Sequence, residues 1–422
     1  MPISPIRQPS CADDRDPESL QVQEARQQIL KAMAPIRNTE KIALRSALGR
    51  ILGTDIISPI DVPGHTNSAM DGYALAGSDL PQQGNGEFTV IGNALAGQPF
   101  KGSCNSGECV RIMTGAPMPE GTDTVVMQEH VETLSDNRIR LASEHRTGQN
   151  VRLTGEDIRK GGVVLNSGRR IIPADLGVLA SLGYSEVPVR RRPRVAFFST
   201  GDELRSVGEP LGEGDIYDSN RYTLYGMLRR LNVDIVDMGV VRDDPDALQE
   251  ALSGAAEIAD VIITSGGVSV GEADYIKSIL AEIGDIHFWK IAMKPGRPLT
   301  FGKIGSAHFF GLPGNPVSVM VTFYQFVQPA IEYLASGEPS APMTLLAVCN
   351  TPIRKKPGRF EFMRGSFTQT PEGQLVVERL GKQGSGVLTS MSQANCFILL
   401  PEENTGVESG DQVVIQPFSG LV

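Results

Sequence analysis

The chain has 422 residues, 40% of them apolar, with 46 glycines and 28 prolines, which predicts several mixed α/β domains with many turns rather than a helical bundle. Its formal net charge of −10 argues against a nucleic-acid-binding protein, which would carry a basic excess. The five cysteines form no C-x-x-C pair, so neither a disulfide framework nor a structural zinc site is indicated.

The first predicted elements are a helix and an all-β segment. Apolar residues recur at helical spacing within residues 19–34, which predicts an amphipathic helix with Ser19 as its N-cap. Between residues 55 and 159, glycines and prolines separate short β-like runs such as TVVM at 124–127, which predicts an all-β segment. Residues 174–182 then have the pattern of a short helix.

Strand-like and helix-like segments alternate from residue 194 to residue 334. This alternation predicts a doubly wound, mostly parallel sheet with right-handed crossovers. The predicted strands are 195–198, 235–241, 261–264, 286–291 and 308–311, and the predicted helices are 218–231, 245–259, 273–283 and 317–335. Short strands return in residues 343–420 and predict a small β-barrel or sandwich.

No apolar run reaches the roughly 18 residues that a membrane span needs. The proline-rich N-terminus also lacks the apolar stretch of a signal peptide. We therefore expect a cytoplasmic protein with reduced thiols and no membrane partner.

Polar loops follow the strands of the predicted parallel sheet. In open sheets of this kind, ligands bind beyond the carboxyl ends of the strands. The candidate residues in these loops are Glu203, Asp243, Ser265, Gly266, Gly267, Asp274, Lys290, Lys294, Arg297, Pro313 and Pro316.

The chemistry of these loops suits a phosphate and a metal ion together. Glycines in the SGG at 265–267 let backbone N–H groups approach a phosphate, and the lysines and the arginine add positive charge. The carboxylates of Glu203, Asp243 and Asp274 beside such a cradle predict a hard divalent cation, Mg²⁺.

Each loop alone has a more ordinary interpretation. The DDP at 243–245 is by itself more often a helix N-cap than a metal site, and the SGG at 265–267 is by itself a weak signal. Their convergence on one sheet edge favours the functional interpretation. The sequence lacks a P-loop motif and a dinucleotide-binding G-x-G-x-x-G after a strand, which argues against a P-loop NTPase and a nicotinamide dehydrogenase.

The all-β segment carries a second set of polar loops. NSAMDGYA at 67–74 contains Asp71, and IMTGAP at 112–117 contains Thr114. GEDIR at 155–159 contains Asp157. On the residues alone these are exposed loops.

Seven ordered strings resemble the molybdopterin molybdenumtransferase family, the bacterial MoeA enzymes related to the E domain of gephyrin. The resemblance covers roughly residues 19–418, and PGRFEFMR at 357–364 is a looser match. The strings are NSAMDGYA at 67–74, IMTGAP at 112–117, GEDIR at 155–159, STGDEL at 199–204, SGGVSVGEADY at 265–275, FWKIAMKPGRPLTF at 288–301 and GLPGNPVS at 311–318.

The resemblance implies a chain of four parts. They are a discontinuous N-terminal lobe at 19–58 and 158–190, an inserted β domain at 59–157, an α/β domain at 191–338 and a β-barrel at 339–422. It also implies a homodimer in which each active cleft lies between the α/β domain of one subunit and the inserted β domain of the other.

The resemblance further implies the reaction, in which molybdate is inserted into adenylylated molybdopterin and Mg²⁺-assisted cleavage releases AMP. It implies that Glu203, Asp243 and Asp274 position the metal ion and water. Phosphate binding is implied for Lys290, Lys294, Ser265, Gly266 and Gly267. Asp71 and Thr114 would contribute across the dimer, and Pro313 and Pro316 would form a wall of the cleft. Arg297, Ser318, Arg359 and Ser390 are the candidates for molybdate, with Lys294 among them, and Asp157 is a further binding residue.

Two other functions stay open at this point. The α/β domain alone is similar to the adenylyltransferase of the preceding step, but single-domain adenylyltransferases lack the inserted β domain and the barrel. A scaffold that has lost catalysis is the second alternative, although the carboxylates and lysines needed for catalysis are present. The implied partners are a molybdopterin adenylyltransferase and molybdoenzyme acceptors.

Overall fold

The computed structural model describes residues 19–134, 137–266, 279–280 and 282–418. Gly267, Asp274 and most of the predicted helix at 273–283 lie outside this part of the chain. The described residues divide into two compact units. One comprises residues 19–40, 49–51 and 190–418, and the other comprises 41–48 and 52–189. The predicted division into four parts remains a prediction.

The predicted N-terminal helix is confirmed as α1 (Val22–Ala32), which buries Val22, Ala25 and Ile29. The prediction that Ser19 caps it is wrong, because the helix begins only after Gln21. Leu20 instead pairs with the strand end at residues 290–292: its N–H donates to the Lys290 carbonyl and its carbonyl accepts from the Ala292 N–H, both at 2.8 Å. This extended pairing delays the start of the helix.

The segment up to residue 190 is mostly β, which confirms the all-β prediction and the short helix after it. Three-residue 3-10 helices occur at Leu44–Ser46, Gly77–Asp79 and Gln128–His130. The elements are β1 (Thr39–Ala43), β2 (Ile56–Ile57), β3 (Asn67–Ser68), β4 (Gly72–Leu75), β5 (Asn85–Ala94), β6 (Glu108–Ile112), β7 (Thr124–Met127), β8 (Val131–Thr133), β9 (Arg138–Ala142), β10 (Val151–Arg152), β11 (Val163–Leu165), α2 (Pro173–Ser181) and β12 (Glu186–Arg190).

The largest sheet of this segment has the strand order β7-β4-β6-β5-β9-β8. Its edge strands β7 and β8 are joined by only the three residues Gln128–His130, so the sheet must curl until its edges approach. One face carries a buried apolar cluster that includes Tyr73, Phe88 and Ile139. The sheet is therefore a half-open barrel around this cluster.

The alternating segment is confirmed as a mostly parallel sheet, in the order β16-β13-β17-β21-β20-β18. The elements are β13 (Arg194–Thr200), β14 (Leu204–Arg205), β15 (Ile216–Tyr217), α3 (Ser219–Arg230), β16 (Asp234–Val241), α4 (Pro245–Ile258), β17 (Val261–Ser265), β18 (Gly284–Lys290), β19 (Met293–Lys294), β20 (Pro298–Ile304), β21 (Ala307–Leu312), α5 (Pro316–Thr322) and α6 (Gln328–Ser336).

Side-chain caps start two of these helices. Asp218 accepts from the Arg221 N–H at 3.1 Å and Asp244 from the Ala247 N–H at 3.0 Å. The sequence interpretation missed β20, which runs antiparallel between β18 and β21. A π-helical turn at Phe323–Val327 joins α5 to α6, so the predicted helix at 317–335 is continuous.

The C-terminal strands form a closed barrel in the order β24-β25-β22-β28-β26, and pairing of β24 with β26 closes it. This resolves the predicted choice between barrel and sandwich. The elements are β22 (Leu345–Cys349), β23 (Ile353–Arg354), β24 (Phe360–Gln369), β25 (Leu375–Arg379), α7 (Leu388–Gln393), β26 (Cys396–Leu400), β27 (Gly406–Val407) and β28 (Gln412–Pro417). None of the helices in the described ranges has the length and apolar character needed to cross a membrane.

Candidate active site

The carboxyl ends of the parallel strands lie at one level of the sheet. Ser199 of β13 pairs in register with Ser265 of β17, and Ser265 pairs with Leu312 of β21. β18 runs in the same direction, because it is antiparallel to β20 and β20 is antiparallel to β21, and it ends at Lys290. The polar loops after these strands therefore leave the sheet from one edge.

Three backbone segments approach one another at Gly266. Its φ is +95°, and a Cβ there would stand 2.4 Å from the Thr200 carbonyl oxygen, so only glycine fits. Its N–H donates to the Leu312 carbonyl at 3.2 Å. Gly266 thus allows the close approach of the loops, while its own N–H is already bonded within the protein.

Asn220, in the first turn of α3, ties two of these loops together. Its side-chain nitrogen donates to Ser265 Oγ at 2.9 Å and to the Gly314 carbonyl at 2.7 Å. The sequence interpretation assigned Asn220 no role beyond the predicted helix. A signal was present in the DSN at 218–220, because an amide at a helix start can donate twice, but its partners are distant in sequence and only the fold reveals them.

Three buried oxygens beside this amide have no hydrogen-bond partner within the described residues. They are Asp218 Oδ2, Asn220 Oδ1 and Ser199 Oγ. Buried polar atoms are nearly always paired, so a cluster of unpaired ones indicates a place where water or a polar ligand binds. The sheet edge therefore offers unpaired hydrogen-bond acceptors in addition to the backbone at Gly266.

Asp243 and Asp244 have different roles. Asp244 caps α4, which is the more ordinary of the two predicted interpretations. The Asp243 carboxylate instead accepts from Thr200 Oγ1 at 3.0 Å, and the Asp243 N–H lies 3.4 Å from Asp202 Oδ1. Asp243 is thus held at the sheet edge, and its second carboxylate oxygen is still available to bind a metal ion.

Glu203 lies in the turn that follows Thr200. Its carboxylate covers Gly201, where a Cβ would stand 2.6 Å from Glu203 Oε2. Oxygen ligands from two carboxylates are a sufficient protein contribution for Mg²⁺, which takes its other ligands from substrate phosphates and water. No cluster of three His, Cys, Asp or Glu side chains occurs among the described residues, and the third predicted ligand, Asp274, lies outside them.

A tight turn places the basic residues after β18. Gly296 has φ +93°, and a Cβ there would stand 2.7 Å from Thr322 Oγ1 on α5. The Ile291 N–H donates to the Arg297 carbonyl at 2.7 Å. The turn is thereby packed against α5, and the side chain of Arg297 is only 9% exposed.

Lys294 is more accessible than Arg297. Its side chain is 55% exposed and its Nζ lies 3.6 Å from Glu361 Oε1. Strand β19, which contains Lys294, pairs in parallel with the start of β24. The barrel thus supports the basic loop, and the exposed ammonium group of Lys294, at this distance from the buried Glu361 carboxylate, remains able to contact an anion.

The GLPGNPVS loop leads into α5. Pro313 is buried and Pro316 is the first residue of α5. Ser318 is 4% exposed, and the Val317 N–H donates to the Ser385 carbonyl at 3.0 Å. One N–H at the start of α5 is therefore taken by a loop of the barrel.

The barrel candidates differ in their environment. Ser390 is buried; its hydroxyl accepts from Arg364 Nε at 3.2 Å and donates to the Val387 carbonyl at 2.6 Å. Arg359 is half-buried in the loop before β24. Sequence reasoning missed Arg364, which is 1% exposed and binds the Gly384 carbonyl at 3.1 Å, because no local pattern marks an arginine as buried.

In the other unit, Asp71 and Thr114 are directly bonded. The Thr114 N–H and Oγ1 donate to Asp71 Oδ1 at 2.7 and 2.8 Å. These two bonds, with a smaller contribution from the charge of Arg111, lower the pKa of Asp71, so its carboxylate is ionised at neutral pH. Asp157 is exposed, and its N–H donates to the Val62 carbonyl at 3.0 Å.

Comparisons with known families cover nearly all of these residues. Residues 20–183 match the MoeA N-terminal region (domain I and II), residues 196–333 match a probable molybdopterin binding domain, and residues 347–418 match the MoeA C-terminal region (domain IV).

Individual proteins are similar over comparable lengths. A molybdopterin molybdenumtransferase of Haemophilus influenzae is 45% identical, over 96% of this chain and all of that one, and a Nostoc enzyme of the same name is 37% identical over 90% and 88%. Gephyrin of Dictyostelium discoideum is 34% identical over 93% of this chain and 61% of its own length. The crystal structure of the molybdopterin biosynthesis moeA protein from Pyrococcus horikoshii OT3 is 31% identical, with a TM-score of 0.83 over 95% of this chain and all of that chain.

Proposed function

This chain belongs to the molybdopterin molybdenumtransferase family, and on that premise we propose that it inserts molybdate into adenylylated molybdopterin with Mg²⁺-dependent release of AMP. The proposed step belongs to molybdenum cofactor biosynthesis, to which the matched relatives contribute. The observation that carries the proposal is the grouping, at one sheet edge, of the Thr200–Asp243 and Asn220–Ser265 pairs with the strand end at Lys290.

The proposed reaction has two parts. Molybdenum binds the two dithiolene sulfurs, and one molybdate oxygen leaves with the two thiol protons as water. Water also adds across the P–O–P bond of the substrate, so that one phosphoryl group keeps the bridging oxygen, the other receives the oxygen of water, and AMP departs.

The side chains at the edge suit the charges of these reactants. Lys290 and Lys294 supply positive charge to the phosphates, and such charge is most effective where it develops in the transition state. Asn220 keeps the loops at Ser265 and Gly314 together, so that the phosphates meet a preorganised wall that includes Pro313 and Pro316. Glycines at 266 and 267 are the proposed cradle, to which Gly266 contributes close backbone approach, since its own N–H donates to the Leu312 carbonyl.

Mg²⁺ would be held by Glu203, Asp243 and Asp274, and it would neutralise phosphate charge when bound. The bond from Thr200 Oγ1 orients the Asp243 carboxylate, which supports a role for Asp243 in holding the metal ion. For molybdate we propose Lys294, Arg297, Ser318, Arg359 and Ser390, with Asp157 as a further binding residue.

We propose further that the enzyme is a cytoplasmic homodimer whose sites each combine Asp71 and Thr114 of one subunit with the sheet edge of the other. What supports a ligand-binding role for Asp71 is its ionised carboxylate in an exposed loop, fixed by two bonds from Thr114. A molybdopterin adenylyltransferase would supply the substrate, and molybdoenzymes would accept the product.

The proposal is tested by a turnover assay with adenylylated molybdopterin. AMP release should require both added molybdate and Mg²⁺. Formation of adenylylated molybdopterin from ATP, without molybdate-dependent AMP release, would instead assign the chain to the preceding adenylylation step. Binding of the substrate without either reaction would indicate a scaffold.

A further inference from the structure

A cavity of about 340 Å³ opens on the half-open barrel of β4–β9, and its lining includes Tyr73, Asn93, Arg111, Asn137 and Arg138. All of its lining residues belong to the stretch 52–189, within one unit of the chain. None of its lining residues in the described part of the chain is acidic. The chain has a net charge of −10, so a cavity lined by two arginines and no carboxylate is a local concentration of basic side chains.

Three of the lining residues form one row across the sheet. Tyr73 of β4 pairs directly with Arg111 of β6, and Arg111 pairs with Asn93 of β5. Directly paired residues project from the same face of a sheet, on strands about 4.8 Å apart. Residues that carry a phenol hydroxyl, a guanidinium group and an amide are therefore neighbours on one face of the sheet, and all three line the cavity.

The two arginines of the cavity differ in their partners. Arg138 is paired with Glu87 at 3.1 Å, whereas the side chain of Arg111 makes no hydrogen bond or ion pair with any residue that the structure describes. The Asp71 carboxylate near Arg111 is already bonded twice by Thr114. Arg111 thus presents its donors to the cavity.

The row suits an oxyanion with more than two oxygens. The planar fork of an arginine can satisfy both oxygens of a carboxylate by itself. Here Tyr73 and Asn93, on the strands that flank Arg111, add a hydroxyl and an amide donor to the same cavity, and a tetrahedral anion has third and fourth oxygens for such donors.

We propose that Tyr73, Asn93 and Arg111 form a binding site for a tetrahedral oxyanion, either free or carried as a phosphate ester. The proposed site includes none of the phosphate or metal residues named for the α/β sheet edge. The proposal does not depend on the reaction proposed above, because it concerns binding to the β4–β9 sheet alone.

The test is protection of Arg111 from phenylglyoxal, an arginine reagent, followed by peptide mass spectrometry on the full chain. Inorganic phosphate, AMP, molybdate and acetate are compared with chloride at equal ionic strength. Arg140, which lies on the same sheet and is paired with Glu87 and Glu132, is the internal reference. We expect phosphate, AMP or molybdate to slow the labelling of Arg111 relative to Arg140, and the anion that protects best identifies whether the ligand is free or an ester.

A matched pair of variants makes the assignment specific. Asn93→Asp places a carboxylate in the row and should raise the concentration of oxyanion needed for half-protection by about tenfold, the effect of losing one charge-assisted hydrogen bond. Asn85→Asp makes the same charge change at the other end of β5 and should leave protection unchanged. Equal labelling of Arg111 in all anions, protection by acetate as strong as by phosphate, or equal effects of the two variants would overturn the proposal.

Discussion

The side-chain nitrogen of Asn220 donates to Ser265 Oγ at 2.9 Å and thereby joins α3 to the end of β17. The same nitrogen donates to the Gly314 carbonyl at 2.7 Å, so one amide holds the two loops that flank Gly266. The loops are kept in place by a side chain that needs no contact with the reacting atoms.

We predict that Asn220→Ala lowers both the rate of AMP release and the free energy of unfolding. The increase in the activation free energy of AMP release should be at least as large as the loss in the free energy of unfolding. The change leaves the Gly314 carbonyl and Ser265 Oγ without this donor, which costs about 1–3 kcal/mol in a protein interior. Turnover and urea unfolding should be measured together. Tyr222→Ala, on the exposed side of α3, is the control and should leave both quantities close to wild type; an Asn220→Ala enzyme with wild-type turnover would contradict the positioning role.

Because Gly296 lies close to Thr322, we predict that Gly296→Ala destabilises the basic loop and lowers the free energy of unfolding. The new Cβ would stand 2.7 Å from Thr322 Oγ1 at a positive φ, and the combined strain should cost about 2–4 kcal/mol. Gly305→Ala is the matched control. Gly305 also has a positive φ, but a Cβ added there would meet no atom within 4 Å, so this change should cost only about 1 kcal/mol.

A double-mutant cycle separates the two sources of this strain. Thr322→Ala removes the atom that the new Cβ meets, so it should recover part of the loss in Gly296→Ala but none of the loss in Gly305→Ala. Urea unfolding of the single variants, the two combinations and the wild type measures this coupling. Additive losses in both combinations would show that the contact with Thr322 is not the cause.

Mixed dimers test whether Asp71 and Asp243 of different subunits serve one site. Asp71→Asn and Asp243→Asn should each be inactive as pure homodimers. A heterodimer of the two keeps one site with both wild-type residues, so it should recover up to half of the wild-type activity per dimer. Heterodimers purified with two different affinity tags and showing no AMP release would indicate that both residues act within one subunit.

His308 predicts a loss of stability in mild acid. Burial, with a smaller effect of Lys303, lowers the pKa of His308 from 6.5 to about 4 against the opposing charge of Asp260. Between these two pH values the unfolded chain binds a proton that the folded chain does not, so the free energy of unfolding falls as the pH falls through this window.

His308→Gln should therefore weaken the dependence of stability on pH between 6.5 and 4. Urea unfolding at several pH values in this range measures the slope. His287→Gln, at a position whose side chain is 57% exposed, is the control and should keep the wild-type slope. A His308→Gln protein with an unchanged slope would show that another group causes the acid sensitivity.

The helices and strands that position the site could be predicted because their signals are local. Apolar runs marked β13, β17 and β21, and an aspartate before a helical segment marked the starts of α3 and α4, which Asp218 and Asp244 cap. The sheet edge then followed from general rules for parallel strands. The family strings added the loops around Asp71 and Thr114, which on the residues alone were only exposed loops.

What could not be predicted depends on contacts between distant residues. Asn220 meets Ser265 and Gly314 across 45 and 94 residues of chain, and Arg364 of β24 is buried although it is an arginine. Ser19 was expected to cap α1, but pairing of Leu20 with residues 290–292 keeps that stretch extended. In each case a tertiary contact overrides or adds to the local preference.

The most direct test of the proposed reaction is to count molybdenum and AMP in the same samples. Adenylylated molybdopterin is incubated with the enzyme, molybdate and Mg²⁺, and dithiolene-bound molybdenum and free AMP are quantified over time. The account predicts that the two products appear together in equal amounts, and that Asp243→Ala abolishes both. AMP release without molybdenum incorporation, or incorporation that continues undiminished in Asp243→Ala, would contradict it.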